Sequence, residues 1–334
     1  MDIKNIIKEL SDSVCIGHID DALKLAEGML PERCEIKRLY GNSLAAFIKG
    51  KSDYTIAVEA HIDEIGFVVT DMDGGFIKVA AAGGFDLRTL PSHRVTIHGK
   101  EDINAVFTSV PPHLSKDDAA IDDLAQIYID TGLNCASELV SVGDFVTYSA
   151  KCEDLQGNRI TGKALDDRAG VAALVYLANM IKEEPPVNLL IMLCNAEELG
   201  TRGAKTAAFE CEFDEAIAID VSFAAYPGVD PAQCGKLSHG GMIGQSPILS
   251  RKIVNKLVSV AESNGLPYQL ETMGGNTSTD ADVITVTKHG IPTGLVSIPL
   301  RNMHTDTEVI DTEDVLAISK LLYSYIFAGG IKNA

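Results

Sequence analysis

Two kinds of hydrophobic pattern alternate along the chain, and each predicts a different architecture. In residues 1–66 and 164–334, apolar positions at helical spacing alternate with short, continuous apolar runs. Residues 169–181 are apolar on almost every side, as in a buried helix, and residues 187–193 resemble a strand covered on both faces. This alternation predicts an α/β fold, a mostly parallel central sheet with helices on both faces. We expect helices at 3–10, 20–30, 169–181, 251–264 and 312–327, and strands at 54–60, 187–193, 216–219 and 293–298.

Residues 67–163 differ from the rest of the chain in composition and in the spacing of their turn signals. They are rich in glycine, valine, isoleucine and threonine, with turn signals at short intervals. Asp73-Gly74-Gly75 separates FVVTDM from FIKVAAA, and Gly99 lies between HRVTIH and INAVFT, so two hairpins are expected. We therefore predict two domains. Residues 1–66 and 164–334 form the α/β domain, and residues 67–163 form a small β-barrel-like domain inserted into it.

The composition excludes several classes of function. The 334 residues include 28 lysines and arginines against 47 aspartates and glutamates, a formal net charge of −19. Such an acidic chain is unsuited to binding nucleic acid or an anionic membrane surface, and 46% hydrophobic residues argue against disorder. Seven cysteines, an odd number without a CxxC spacing, argue against a disulfide framework. The start, MDIKNIIKELSDS, has no signal-peptide core, so we expect a reduced, cytoplasmic protein.

Histidines and carboxylates recur where the predicted strands end. In open α/β sheets, ligands bind beyond the carboxyl ends of the strands, so these side chains are expected to meet at one edge. A pair of aspartates just before the buried helix joins them, because the partial positive charge of a helix N-terminus favours carboxylates. The candidates are His61, Asp63, Asp166, Asp167, Glu197, Glu198, Asp220 and His304.

The chemistry of this set favours metal ions. Imidazole nitrogens and carboxylates without a thiolate suit divalent zinc, cobalt or manganese. Six carboxylates close together would repel one another, and two divalent ions would resolve that conflict. If Glu198 binds metal, the neighbouring Glu197 can reach the metal-bridging water and act as general base and later as general acid. Asp63 could accept the second imidazole N–H of His61 and fix its tautomer.

Several of these segments also resemble a known family. They occur in the order found in the tetrahedral (TET) aminopeptidases, a co-catalytic binuclear metallopeptidase group that includes glutamyl aminopeptidases and "cellulase M" proteins. The resemblance covers about residues 40–315, and PPHL at 111–114 and GGF at 83–85 are similar to the inserted domain of that family. The segments are AHIDEIGFVV, KALDDRAG, NAEELGTRGA, IAIDVS, TSTDAD and GLVSIPLRNMHTDTEV.

The resemblance implies a role for each candidate. It implies a zinc-aminopeptidase type of fold, with a cis peptide between Asp166 and Asp167. It also implies that the inserted domain mediates dimerisation and that the dimers assemble into dodecamers. The implied site has His61 and Asp220 on one metal, Glu198 and His304 on the other, Asp166 bridging them, Glu197 as the base and Asp63 supporting His61.

The sequence departs from the family pattern near the site. Ala196 replaces a frequent glutamine, and Thr305-Asp306 replaces a usual Ser-Pro. Neither change removes a ligand. Asp306 is expected to alter the charge at the entrance, so substrate preference is the property most affected.

We therefore interpret the chain as a binuclear metallo-aminopeptidase that removes N-terminal residues from short peptides, with two divalent ions per chain. Zinc is the first choice, and cobalt or manganese are alternatives. Two other functions stay open. One is a deacylase or glycan-directed hydrolase, although glycosidases normally use two carboxylates without metal. The other is a non-catalytic assembly protein with a relict site. Cys194 is expected to be a small buried residue rather than a nucleophile.

Overall fold

An eight-stranded mixed sheet and a six-stranded closed barrel dominate the computed structural model, which describes residues 2–111, 113–114 and 123–332. Pro112 of the PPHL motif and residues 115–122 of the predicted inserted domain lie outside the described residues. The helices are α1 (Ile3–Asp12), α2 (Asp21–Met29), α3 (Leu165–Met180), α4 (Arg202–Glu210), α5 (Arg251–Asn264), α6 (Ala281–Ile284) and α7 (Thr312–Phe327). The strands are β1 (Cys15–Ile16), β2 (Ile19–Asp20), β3 (Glu35–Leu39), β4 (Ser43–Ile48), β5 (Thr55–His61), β6 (Gly66–Asp73), β7 (Phe76–Ala82), β8 (Arg94–His98), β9 (Asp102–Phe107), β10 (Ile129–Asp130), β11 (Phe145–Tyr148), β12 (Glu153–Asp154), β13 (Arg159–Gly162), β14 (Asn188–Cys194), β15 (Glu215–Phe223), β16 (Gly241–Gln245), β17 (Tyr268–Thr272), β18 (Thr293–Leu300) and β19 (Glu308–Asp311).

The large sheet has the strand order β17-β16-β18-β15-β5-β14-β4-β3. Its four central strands, β18, β15, β5 and β14, run parallel to one another. Outside them, β16 and β4 are antiparallel to their inner neighbours. The predicted α/β fold is confirmed, and the sheet is mixed towards its edges. The parallel centre brings four carboxyl ends to the same side, which is where ligands bind in such sheets.

Strand β5 shows why this sheet is covered on both faces. All seven of its residues are buried, and successive side chains point to opposite faces. Ile56 and Val58 belong to the core formed with α1, α3 and α7, whereas Ala57 belongs to the core formed with α4 and α6. Each fully buried aliphatic side chain of this kind contributes about 1.5–3 kcal/mol to stability. The strand is thereby held rigidly, and so is the residue at its end.

The barrel has its own core. Its strand order is β10-β7-β6-β11-β8-β9, and β10 pairs with β9 to close it. Buried and exposed residues alternate along β9, so one face of that strand fills the interior. Phe67 and Phe107 pack edge to face at the centre, with ring centroids 5.1 Å apart. These strands lie between residues 66 and 148, beside the large sheet. Among the described residues, no helix is both long and apolar enough to cross a bilayer.

Candidate metal centre

The sequence-predicted histidines and carboxylates meet at the carboxyl edge of the parallel strands. His61 is the last residue of β5, and Glu197 and Glu198 follow β14 after a left-handed residue. His304 lies in the turn after β18. Asp220 lies within β15, because that strand extends beyond the predicted end at residue 219. All five line a cavity of about 880 Å³.

Asp166 lies between the two histidines. Its Oδ1 is 3.0 Å from His61 Nε2, and its Oδ2 is 3.4 Å from His304 Nε2. Each histidine has a second carboxylate beside it: Asp220 Oδ1 lies 3.9 Å from His61 Nε2, and Glu198 Oε1 lies 3.3 Å from His304 Nε2. The peptide bond between Asp166 and Asp167 is cis, as the resemblance implies.

These residues form two groups that share one member. In His61, Asp166 and Asp220, and in Asp166, Glu198 and His304, the donor atoms within each group lie within 4.8 Å of one another. His61 and Asp166 are buried, and His61 Nδ1 has no hydrogen-bond partner among the described residues. Imidazole and carboxylate donors at this spacing fit divalent cations of the zinc, cobalt and manganese class.

The electrostatics of the cluster favour positive charge. Burial opposes ionisation of Asp166, but its contacts with His304 and His61 outweigh burial and lower its pKa. Burial raises the pKa of Asp220 well above its usual range, and the charge of Asp166 adds to this. Burial opposes protonation of His304, but contacts with Asp166 and Glu198 prevail and raise its pKa to about 11. The carboxylates therefore attract cations to this edge of the sheet.

Glu197 has the protonation behaviour of a general base. Burial raises its pKa to about 7; the charges of Glu198 and Asp63 act in the same direction, while His61 opposes them. Its donor atom belongs to a further group with His61 and Glu198, within 4.8 Å of both. A carboxyl group with a pKa near neutrality can both accept and return a proton.

Asp63 contacts the backbone of Glu197 and Glu198 as well as facing His61, which the sequence alone does not indicate. Its Oδ1 is 3.5 Å from His61 Nδ1, on the side predicted for a supporting carboxylate. The same oxygen accepts the backbone N–H of Glu197 at 3.0 Å, and Oδ2 accepts that of Glu198 at 3.2 Å. One buried carboxylate thus connects the end of β5 to the segment that follows β14.

Glu308, at the start of β19, is a site residue that sequence reasoning missed. It is buried, its Oε2 accepts the backbone N–H of Asp166 at 3.1 Å, and its Oε1 accepts that of His304 at 2.9 Å. Asp167 belongs to neither group; it accepts the N–H of Gly170 at 3.0 Å, and its own φ and ψ are non-helical, so the regular part of α3 follows it. Glu308 lies in the segment GLVSIPLRNMHTDTEV, but nothing in that segment marks it as a partner of Asp166, 142 residues away.

The barrel reaches the site beside His304. A Cβ added to Gly84 would lie 3.2 Å from His304 Nδ1, so the chain passes the ring closely. Asp306 Oδ1 lies 3.1 Å from His93 Nε2 of the barrel segment, and Asp306 does not line the large cavity. The carboxylate of Asp306 therefore faces the barrel, and its effect on the charge at the entrance stays a prediction.

The rest of the cavity wall combines polar and apolar groups. The glycine-rich stretch 274–282 contributes Asn276, Thr277 and Ser278. Met242 and Leu270 supply apolar surface from β16 and β17. A cavity of this kind can accept an extended peptide end beside the ligand cluster.

Comparisons with known proteins cover both the sheet and the barrel. A family model described as M42 glutamyl aminopeptidase matches residues 41–321. The lysyl aminopeptidase of Pyrococcus furiosus is 30% identical over 284 residues, which cover 82% of this chain and 81% of that protein. An aminopeptidase structure from the archaeon Desulfurococcus kamchatkensis matches with a TM-score of 0.92 at 30% identity, covering 98% of this chain and 94% of that one. The TET1 peptidase of Pyrococcus horikoshii, described as assembling into a tetrahedron or a large octahedral shell, matches with a TM-score of 0.87 at 27% identity, covering 98% and 99%.

Proposed function

Because the chain belongs to the M42 glutamyl aminopeptidase family, we propose that it is a metal-dependent aminopeptidase that removes N-terminal residues from short peptides. The observation that carries this proposal is the position of Asp166, whose two oxygens face His61 and His304 at 3.0 and 3.4 Å. A carboxylate between two histidines, each with a further carboxylate beside it, fits a binuclear centre.

The proposed ligands divide evenly between two ions per chain. His61 and Asp220 hold one, Glu198 and His304 hold the other, and Asp166 is shared. Zinc is the first choice and cobalt or manganese are alternatives, since the donors are nitrogen and oxygen. When bound, such ions lower the pKa of water and polarise the scissile carbonyl.

Glu197 acts as the general base in this proposal. It takes a proton from the water that attacks the carbonyl carbon, and it returns that proton to the leaving amine as the C–N bond breaks. Its carboxyl oxygen lies within 4.8 Å of donor atoms of His61 and Glu198, so it is close enough to the proposed ligands to take part in both steps. Asp63 holds the Glu197 backbone and faces His61, so the base and one ligand keep a fixed relation.

We further propose that residues 67–163 act as a separate dimerisation domain and that the chain forms homo-oligomers, up to dodecamers. The likeness to TET1 peptidase, described as assembling into a tetrahedron or a large octahedral shell, supports this. The barrel segment also exposes apolar side chains, with Phe76 43% and Val110 68% exposed. The odd number of cysteines and their spacing favour a reducing compartment, and we propose the cytoplasm. Light scattering on the purified protein tests the assembly.

A panel of aminoacyl-anilides (Glu, Asp, Leu, Lys and Ala) assayed with zinc, cobalt and manganese tests the activity. We expect cleavage with at least one metal and its loss with a chelator. An N-acetylated copy of the best substrate is the control, because an aminopeptidase needs a free amine. Release of acetate instead of the aniline from the acetylated copy would identify a deacylase, and inertness with every metal would indicate a relict site.

The Glu197→Gln variant tests the general base. It keeps an oxygen at this position but cannot accept a proton, so we expect it to retain metal and lose most of its turnover, about 10²–10⁴-fold. Glu184→Gln, at an exposed glutamate, is the matched control and should behave as the unaltered protein. Near-normal turnover of Glu197→Gln would refute the assignment.

A further inference from the structure

A second cluster of metal-type side chains lies beneath the candidate metal centre. It consists of Glu59 in β5, Cys194 at the end of β14 and Asp280 just before α6. One donor atom from each lies within 4.8 Å of the other two, and none of the three belongs to the groups around Asp166. The cluster is therefore a separate set of donors within the same sheet.

The two carboxyl groups of this cluster are fully enclosed and lie beside each other, and no cationic side chain among the described residues pairs with either. Glu59 is 0% exposed and Asp280 is 2% exposed. All four of their side-chain oxygens lack a hydrogen-bond partner among the described residues. Buried polar atoms in folded proteins nearly always have a partner, and a buried carboxylate without one costs several kcal/mol. Four such oxygens in one place point to a missing positive group.

The surroundings of the cluster explain why no side chain supplies that group. Glu59 lies on the face of the sheet that packs against α4 and α6, where its neighbours are small or apolar. Its register partner on β14 is Met192, and its partner on β15 is Ala218. A glutamate in the middle of this buried strand breaks the apolar pattern.

We propose that Glu59, Cys194 and Asp280 bind a third divalent cation of the zinc class, distinct from the two ions at the catalytic centre. A thiolate with two carboxylates is a donor set that zinc accepts, and the sulfur sets this site apart from the nitrogen and oxygen donors above it. The role is structural. Asp280 follows the loop whose residues 276–279 line the cavity, so the ion ties that loop to β5 and β14.

Metal analysis and cobalt spectroscopy on the full-length protein test this proposal. After dialysis against a chelator and reloading with Co²⁺, we expect three ions per chain. We also expect the intense near-ultraviolet charge-transfer band that thiolate ligation gives to cobalt. Nitrogen and oxygen ligands give no such band, so it reports on the third site alone. Two ions per chain without this band would overturn the proposal and indicate a proton shared between Glu59 and Asp280.

Variants identify the residues involved. Cys194→Ser should lose the band and one ion per chain. Glu59→Gln should lose the same ion, and it provides the test if Cys194→Ser fails to fold. Cys211→Ser, at a half-buried cysteine outside the cluster, is the matched control and should keep the band. A band that survives in both Cys194→Ser and Glu59→Gln would place the cobalt on another cysteine and overturn the proposal. Asp166→Ala should lose the two catalytic ions yet keep the band, so failure of the catalytic assignment is distinguishable from failure of this one.

Discussion

Replacing Glu308 tests whether the ligands are held by the contacts described above. This carboxyl accepts the backbone N–H groups of both Asp166 and His304, at 3.1 and 2.9 Å. In Glu308→Ala both donors lose their acceptor, and in Glu308→Gln one acceptor oxygen remains. The two variants therefore remove the contacts stepwise.

The magnitude follows from the number of donors left unpaired. A buried N–H without an acceptor costs about 1–3 kcal/mol. We expect Glu308→Gln to lower the free energy of unfolding by about 1–3 kcal/mol and Glu308→Ala by about 2–6 kcal/mol. Because the loss also frees two proposed ligands, metal affinity should fall about 10–100-fold, as it does when groups that orient metal ligands are removed.

Urea unfolding and zinc titration against a competing chelator measure these two quantities. Glu313→Gln, at an exposed glutamate in the first turn of α7, is the control and should stay within about 0.5 kcal/mol of the unaltered protein. If Glu308→Ala unfolds like the control and binds zinc with unchanged affinity, then Glu308 does not position the site.

Three further changes probe other parts of the structure. Burial raises the pKa of Asp314 to about 6, so this carboxyl adds stability below pH ~4 and loses it as pH rises through ~6; the free energy of unfolding relative to Asp314→Asn should fall by about 3 kcal/mol between pH 4 and 7, and a flat difference would refute this. Gly84→Ala should weaken metal binding by displacing the His304 ring, whereas Gly274→Ala, with nothing within 4 Å, should not; equal affinities in a zinc titration would count against the close approach. Saturation with zinc at 100 times its Kd should stabilise the fold by about 2.7 kcal/mol for each ion bound, seen as a rise in Tm that a chelator reverses, and an unchanged Tm would argue against binding to the folded state.

The fold was predictable where the pattern is strong. Predicted helices 251–264 and 312–327 coincide with α5 and α7, because both have apolar residues at helical spacing. In α7 the start is set by Asp311, which accepts the N–H of Glu313 at 3.0 Å. Strand β3 was missed because four of its five residues are exposed, so the apolar pattern is absent. It is ordered by pairing with β4, which local sequence does not show.

The candidate site was predictable for residues at strand ends and much less so for the residues that support them. His61 and Glu198 follow apolar runs, so the strand-end rule finds them. Glu308 is missed because, although its contact with His304 is local, its contact with Asp166 joins segments 142 residues apart. Glu59 did leave a signal, a single acid in the otherwise apolar run TIAVEA. Its importance depends on Asp280, which is 221 positions away in sequence, so only the folded chain shows the cluster.

The double contact of Asp63 means that the proposed base and two of the proposed ligands are held by one side chain. Its carboxylate holds the backbone of Glu197 and Glu198 while facing His61. Energetic effects of substitutions at distant sites usually add, but those of residues that share a partner do not. The fold-losses of activity from substituting Asp63 and Glu197 therefore cannot be multiplied to predict the double variant, because substituting Asp63 already displaces Glu197. In a redesign of this site, Asp63, Glu197 and Glu198 therefore have to be changed together rather than one at a time.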